Sequence, residues 1–458
     1  MNELVERYFA RLRGRRAAVL GIGVSNRPLI RLLLQYGVDV TAYDRTPRER
    51  LDDEVLALEA QGAKLHVGEN YLDGLEADVI FRTPGMRPDL PQIARLTARG
   101  AELTSEMEAF FEVCPCRIIA VTGSDGKTTT TTLIAKILEH AGRRVWLGGN
   151  IGTPLLPLAA QMEPDDAVVV ELSSFQLMTM TRSADVAVVT NLAPNHLDMH
   201  HGMEEYVAAK KNVFLHQSTN GRLVLNLDNG ITRGFAAEAR GTVEFFSRTA
   251  RPERGVYLEN GVIYRNGVKI MDAADIQIPG VHNIENYMAA ACAVEGLASD
   301  ADIDAVARSF GGVEHRIELV RELDGVRYYN DSIASSPTRT IAGLHSFAQP
   351  VILIAGGYDK HIPFDVLGPE ICAHVKTLIL CGATADKIRA AVLAAPAYAE
   401  GRPVILDAEN LEQAVSLARE SARAGDVVTL SPACAAFDQF KNFMVRGETY
   451  KKLVHELK

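Results

Sequence analysis

Residues 121–132 read VTGSDGKTTTTT, and Gly126, Lys127 and Thr128 close the stretch as a phosphate-binding loop closes. A Walker loop is spaced G-x-x-x-x-G-K-[ST]. Its first glycine would fall at Val121, whereas Gly123 comes two residues late. The apolar run RIIAV (117–121) predicts a buried strand, and the residues after the turn predict a helix beginning near Lys127. A strand, a glycine turn and a helix N-terminus present successive backbone N–H groups to an anion, and the helix dipole adds to the attraction. Gly123, Ser124, Asp125, Gly126 and Thr129 would line the cradle. Lys127 would reach the terminal phosphates, and Thr128 would offer its hydroxyl to Mg²⁺. Asp125 must turn away from the phosphates or cap a backbone N–H, because like charges at short range cost binding. The plain alternative is a strand–turn–helix with a lysine in solvent. Gly-Lys-Thr alone would favour that alternative; the strand in front and the TGSDGKTTT context reverse it.

Three further residues could serve the same chemistry. Glu171 in ELSSFQL (171–177) follows the run DAVVV, so it stands at a strand C-terminus, where a carboxylate can hold Mg²⁺ between two phosphates. His196 in TNLAPNHLDMHHG (190–202) lies just beyond another strand, and Lys210 in YVAAKK (206–211) lies on a helix. Taken singly, each has a plain reading: a solvated glutamate, a histidine making a local hydrogen bond, a surface lysine.

Three blocks must position these groups. The first (residues 1–106) alternates apolar runs with helical patterns: RRAAVLGIGVSN, VDVTAYD, AKLHVG and ADVIFRTPG. Strands apolar on both faces indicate a parallel, doubly wound, Rossmann-like sheet. The second (107–312) is a P-loop-type α/β domain with the strands RIIAVTG, DAVVVELSS, VAVVTNL and GRLVLNLD. Its segment 255–273 carries two Asn-Gly pairs between alternating runs, which predicts a small antiparallel addition. The third (313–458) returns to the Rossmann-like rhythm in GVRYYNDS, PVILIAGG, VKTLILCG, RPVILDA and GDVVTLSPA. A chain of 458 residues, 47% hydrophobic and 23% charged, suits such a multidomain globular α/β protein.

Composition also excludes classes. The net charge, 48 minus 58 or −10, with no basic run, argues against nucleic acid. No apolar run approaches the roughly 18 residues of a membrane span, and Asn2, Glu3 and Glu6 speak against a signal peptide. Six unevenly spaced cysteines suit reduced thiols in a cytoplasmic protein, with Cys114-Pro115-Cys116 structural because no second ligand pair matches it.

Eight motifs now fall into one order: TGSDGKT, GGNIG (148–152), ELSSFQL, NHLDMH, YVAAK, HNIEN (282–286), HRIE (315–318) and YNDS (329–332). In that order they resemble the Mur ligases, ATP-dependent enzymes that build the peptide stem of bacterial cell-wall precursors. The closing LSPACAAFDQFKNFMVRG (430–447) and the first-block GIGVSN and TPGM resemble the branch that adds D-glutamate to UDP-N-acetylmuramoyl-L-alanine. The resemblance covers the whole chain. It implies a monomeric cytoplasmic carbon–nitrogen ligase using ATP and two Mg²⁺, with an acyl phosphate formed on the substrate carboxylate and attacked by the amino acid. Carried over by position, Lys127 and Thr128 would handle phosphates and the first Mg²⁺, with Glu171 as a metal ligand and His196 beside the second. Lys210 would be carbamylated and ligate metal, and Asn150 would sit beside the nascent acyl group. Asn286, Arg316 and Asp331 would contact adenosine. Val24, Ser25, Asp44, Arg45 and Thr83 would bind the uridine nucleotide; Ser335, Lys360, Ala436, Phe437 and Phe443 would face the amino acid. His315 receives no role.

The sequence departs from that pattern in the amino acid pocket. Ile333 stands where a lysine often follows NDS, Ser335 replaces a threonine, and Ala436 replaces a serine; outside that pocket, Asn195 stands in NHLDMH where an acidic residue often precedes the histidine. These departures bear on which amino acid is added more than on the reaction. A ligase adding L-alanine or another stem residue is the sibling alternative; a folylpolyglutamate synthetase is more distant, and the first-block uridine motifs argue against it. A non-catalytic nucleotide-binding module would require Glu171, His196 and Lys210 to be ordinary surface residues. An NAD-dependent dehydrogenase is suggested by GIGVSN and by Asp44, 23 residues after Gly21. However, Asn26 replaces the third glycine, and that reading explains neither of the other blocks.

Overall fold

Strands alternate with helices along the chain and collect into three sheets. The structure, a computed structural model, describes residues 3–194, 199–360 and 362–458. The first sheet holds β1 (Arg16–Leu20), β2 (Asp39–Asp44), β3 (Lys64–Val67), β4 (Val79–Arg82) and β5 (Glu102–Thr104), ordered 3-2-1-4-5. Every pairing in it is parallel. The strands β1 and β4 are buried almost throughout because helices cover both faces, which is why they read as unbroken apolar runs.

The second sheet has nine strands: β6 (Arg117–Thr122), β7 (Val145–Gly149), β8 (Ala167–Glu171), β9 (Val186–Val189), β10 (Arg222–Asn226), β11 (Thr242–Ser247), β12 (Gly255–Glu259), β13 (Val262–Arg265) and β14 (Val268–Asp272). Their order is 14-13-12-11-10-9-6-8-7, so β6 lies between β8 and β9. The chain leaves β6 toward one side and returns on the other, which opens a crevice at its C-terminal end. The antiparallel addition is β12–β13–β14, joined through a parallel β11–β12 pairing to the edge of this sheet. Its two hairpins turn where expected. Asn260 and Gly261 have φ of 51° and 78°, and Asn266 and Gly267 have 49° and 90°, the two positive φ values that a type I′ turn requires.

The third sheet runs β15 (Glu318–Leu323), β16 (Val326–Asn330), β20 (Val427–Leu430), β17 (Val351–Ala355), β18 (Val375–Leu380), β19 (Val404–Asp407). All pairings are parallel except β15 with β16. The edge strand β15, ELVREL, is only half-buried and carries three charges, so the sequence does not announce it.

Two compact units make up the chain: residues 1–273 with 285–306, and residues 274–284 with 307–458. The first two sheets belong to the same unit because one apolar cluster runs through both, from Phe9, Leu29 and Phe110 to Val168, Leu177 and Phe214. The second unit has its own clusters on the two faces of its sheet. All six cysteines are free; the Cys114 and Cys116 sulfurs lie 3.6 Å apart. Among the described residues no helix is long and apolar enough to cross a membrane.

Candidate active site

The turn after β6 is held by the segment that follows β9. Ser124 N–H donates to Asn191 O and its hydroxyl to Ala193 O, and Ala193 N–H donates back to that hydroxyl at 2.9 Å. Asp125 N–H donates to Asn191 Oδ1 at 3.0 Å, and Thr190 Oγ1 donates to Asp125 O at 2.6 Å. Asp125 itself is exposed, so its backbone is pinned while its carboxylate faces solvent. Both glycines are required. Gly123 has φ +148° and a Cβ there would lie 2.0 Å from Thr190 Oγ1; Gly126 has φ +76° and a Cβ would lie 2.4 Å from Asn286 Oδ1. Gly126 is the N-cap of the helix Lys127–His140, which starts where the sequence predicts. Lys127 Nζ curls back to Ser124 O at 2.9 Å, across the mouth of the turn.

One carboxylate gathers the neighbouring groups. Glu171 closes β8 and is buried; Thr128 Oγ1 donates to its Oε2 at 2.7 Å, and Asn150 Nδ2 donates to its Oε1 at 2.7 Å. Gly149 allows this, because its φ of +97° brings its backbone against Glu171 O, where a Cβ would lie at 2.2 Å. Two oxygen donors converging beside a phosphate-type turn fit a hard divalent cation, which takes carboxylate and hydroxyl oxygens. Asn286 joins the same site: the buried Thr130 donates from its Oγ1 to Asn286 Oδ1 at 3.2 Å.

Lys210 is not a surface lysine. It is 1% exposed, near the end of the helix Met203–Lys211, and its Nζ donates to Gly123 O at 2.8 Å and Thr122 Oγ1 at 3.1 Å. Burial, reinforced by nearby Lys127, holds its pKa well below that of an ordinary lysine. His196, the remaining expected ligand, lies outside the described residues.

At the C-terminal ends of β1, β2 and β4 the structure brings together Val24, Ser25, Asp44, Arg45 and Thr83. Thr83 packs over Gly21, whose Cβ would lie 2.9 Å from Thr83 Cγ2. Both Asp44 oxygens accept backbone N–H groups, from Ile22 at 2.8 Å and Thr46 at 2.9 Å. Burial alone would raise the Asp44 pKa, but these bonds outweigh it and the carboxyl sits below its usual value. Asn26, in place of a third glycine, donates to Gly21 O at 2.8 Å and so ties the turn. Val24 is 80% exposed at the tip, open to a ligand.

Sequence reading missed Arg82. It is 1% exposed and donates to Thr83 O, Pro84 O and Met86 O on one side and to Phe175 O and Thr179 Oγ1 on the other. It thereby ties the TPGM loop to the segment directly after Glu171. Burial brings its pKa down to about 10. Nearby, Arg87 bonds Glu205 at 2.9 Å and Met199 O at 2.6 Å, linking that loop to the helix of Lys210.

In the second unit, the ends of β16, β17 and β20 collect a further set. Asp331 is fully buried and accepts from Ser431 Oγ at 2.7 Å; burial pushes its pKa up to about 7 against that bond. Ser332 Oγ donates to Phe443 O at 2.8 Å, which places Phe443 beside the NDS turn. Arg446, also missed, is buried and donates to Ser332 O, Cys434 O and Ala435 O, fixing SPACAA against that turn. Tyr358 N–H donates to Ala435 O, and the Tyr358 and Phe437 rings meet edge to face at 5.8 Å. Lys360 and Phe437 are exposed, Ser335 and Arg316 half-buried, and Ala436 buried. His315 is structural: buried at φ 62°, its Nδ1 lies 2.9 Å from Asn330 Nδ2.

Comparisons with known proteins identify the family. Residues 121–294 match the Mur ligase middle domain, and residues 315–434 match the Mur ligase glutamate ligase domain. The UDP-N-acetylmuramoylalanine–D-glutamate ligase of Acetivibrio thermocellus is 53% identical over 100% of both chains. That of Clostridium acetobutylicum is 51% identical over 98% of each. Among solved structures, the UDP-N-acetylmuramate–alanine ligase of Thermotoga maritima superposes with a TM-score of 0.57 at 16% identity, covering 97% of this chain and 100% of the other. A UDP-N-acetylmuramoyl-L-alanyl-D-glutamate–2,6-diaminopimelate ligase gives 0.58 at 17% identity, covering 98% and 94%; both show a shared fold.

Proposed function

The chain belongs to the Mur ligase family, and from that premise we propose that it joins D-glutamate to UDP-N-acetylmuramoyl-L-alanine at the expense of ATP. The observation that carries this reading is the meeting of Thr128, Asn150 and Glu171 beside a glycine turn that leads into Lys127's helix. The choice of D-glutamate rests on full-length relatives of that name at 53% and 51% identity.

The backbone N–H groups of the turn cradle the ATP phosphates, and Lys127 swings from Ser124 O to the γ-phosphate. Mg²⁺, when bound, neutralises phosphate charge and would be held by Thr128 and Glu171. The carboxylate oxygen of the nucleotide sugar attacks the γ-phosphorus as ADP leaves, with Asn150 beside the new acyl group. The amine of D-glutamate then adds to the acyl carbon; its proton is lost and phosphate departs as the amide forms. Three anionic partners meet in these steps, so the protein contributes mainly alignment and charge cancellation.

The first-sheet turn, with Val24, Ser25, Asp44, Arg45 and Thr83, takes the uridine nucleotide. In the second unit Lys360 and the backbone near Ala436 and Phe437 take the D-glutamate carboxylates, flanked by Ser335 and Phe443. Lys210 acts as a carbamate, formed when its amine adds to CO₂ and releases a proton. The carbamate would supply the anionic group that a lysine lacks, and the amine that would carry it lies against the turn, donating to Gly123 O and Thr122 Oγ1.

A screen of amino acids with UDP-N-acetylmuramoyl-L-alanine, ATP and Mg²⁺, read by ADP release, tests the proposal. D-glutamate should be the preferred substrate, and Lys127→Ala should abolish release. Preference for another amino acid would overturn the specificity; no release with any of them would overturn the reaction.

A further inference from the structure

We propose that His345, Glu370 and His374 form a binding site for a divalent transition-metal ion of the zinc, nickel or copper class, separate from the reaction's Mg²⁺. All three belong to the second unit. His345 caps the C-terminal end of the helix Pro337–Leu344; His374 is the last residue of the helix Leu367–His374, with Glu370 one turn before it. Glu370 Oε2 lies 2.6 Å from His345 Nε2 and 3.5 Å from His374 Nε2. The two imidazole centroids are 4.9 Å apart. One ligand atom from each residue lies within 4.8 Å of the others.

These spacings suit a metal better than they suit a bare ion pair. A tetrahedral ion with bonds near 2.0–2.1 Å keeps its ligand atoms roughly 3.3 Å apart. The two carboxylate–imidazole distances bracket that value, and small side-chain rotations bring the third into range. Charge favours a cation too, because both histidines stand where helix carbonyls carry partial negative charge and Glu370 adds a full one. Two imidazoles with one carboxylate select zinc, nickel or copper, whereas Mg²⁺ prefers an all-oxygen set. All three side chains are partly exposed, at 51%, 32% and 36%, which leaves room for water to complete the shell.

A second acidic–histidine cluster shows the contrast. Glu314, His315 and Glu448 also approach one another, but Lys451 Nζ already sits 2.8 Å from Glu314 and 3.2 Å from Glu448 and fills that position with its own charge. No such cation is paired with Glu370 among the described residues. The helix carrying His345 begins directly after Ser335 and Ser336 and packs against the helix of His374. A bound ion would therefore staple two helices just behind the segment assigned to the amino acid. The site itself stands without that assignment.

The test is Zn²⁺ titration of the tag-free full-length chain by calorimetry in millimolar Mg²⁺, in a Cys114→Ser/Cys116→Ser background that removes the paired thiols. The chain should bind one more equivalent of zinc than its His345→Ala/His374→Ala form. Glu370→Gln should weaken that equivalent roughly tenfold or more. Zinc should also raise the melting temperature only when the site is intact. Equal stoichiometry and affinity in both chains, or binding only near millimolar zinc, would overturn the site. Should the histidine variants not fold, Cu²⁺ electron paramagnetic resonance on the unaltered chain decides. Coupling to two imidazole nitrogens is expected, and none or one would overturn it.

Discussion

Replacing Gly126 with alanine tests the shortened phosphate turn with a single methyl group. The native φ of +76° is one an L-residue adopts at a cost of about 1–2 kcal/mol. The new Cβ would lie 2.4 Å from Asn286 Oδ1, a distance no real contact tolerates, so the side chain of Asn286 must move. Asn286 is buried and accepts from Thr130, and breaking that bond costs about 1 kcal/mol more. The sum, about 2–3 kcal/mol, falls on the turn that cradles ATP. If ATP binding restores the native turn, its affinity drops roughly 30- to 150-fold at about 1.4 kcal/mol per decade. Gly142→Ala is the matched control. Its φ is +80°, but nothing lies within 4 Å of its Cβ and it sits past the far end of the same helix. Steady-state ADP release against ATP concentration, with melting curves for both variants, separates the cases. Both should lose comparable backbone stability, and only Gly126→Ala should lose ATP affinity. An unchanged KM for ATP in Gly126→Ala would refute the reasoning.

Three other outcomes are expected. Lys210→Ala should lower turnover by roughly a hundredfold, as loss of a metal-site group does, with partial recovery on adding acetate; undiminished turnover would remove the carbamate. Lys360→Ala should raise the KM for D-glutamate roughly tenfold or more while leaving that for ATP nearly unchanged, since a charge-assisted bond is worth about 1.5–3 kcal/mol; equal effects on both would displace Lys360 from the amino acid. Glu106 is fully buried, and burial pushes its pKa up to about 7 despite the Leu156 N–H it accepts. Its folded pKa is raised, so its stabilising contribution is complete below about 4.5 and is lost as pH rises through about 7. Glu106→Gln should therefore stabilise the fold at pH 8, by up to about 3 kcal/mol, and do little at pH 5; a melting shift equal at both pH values would contradict this.

Local chemistry was legible in the sequence wherever a residue type has few alternatives. The strand–turn–helix at Val121–Lys127 and the Asn-Gly hairpins were readable because glycine and asparagine mark positive φ. β15 escaped because ELVREL lacks both an unbroken apolar run and a clean alternation, and it borrows its definition from pairing with β16. Arg82 and Arg446 escaped for another reason: an arginine reads as surface, and only the convergence of several carbonyl oxygens from distant segments gives it a buried place. Lys210 shows the same limit. A lysine on a helix reads as surface, and its burial under the turn comes from tertiary packing.

Transfer of an oxygen atom examines the acyl phosphate without intermediary. UDP-N-acetylmuramoyl-L-alanine labelled with ¹⁸O in its terminal carboxylate, incubated with the protein, ATP, Mg²⁺ and D-glutamate, should yield inorganic phosphate carrying one ¹⁸O per turnover by mass spectrometry. Phosphate that emerges unlabelled while the amide forms would contradict the account.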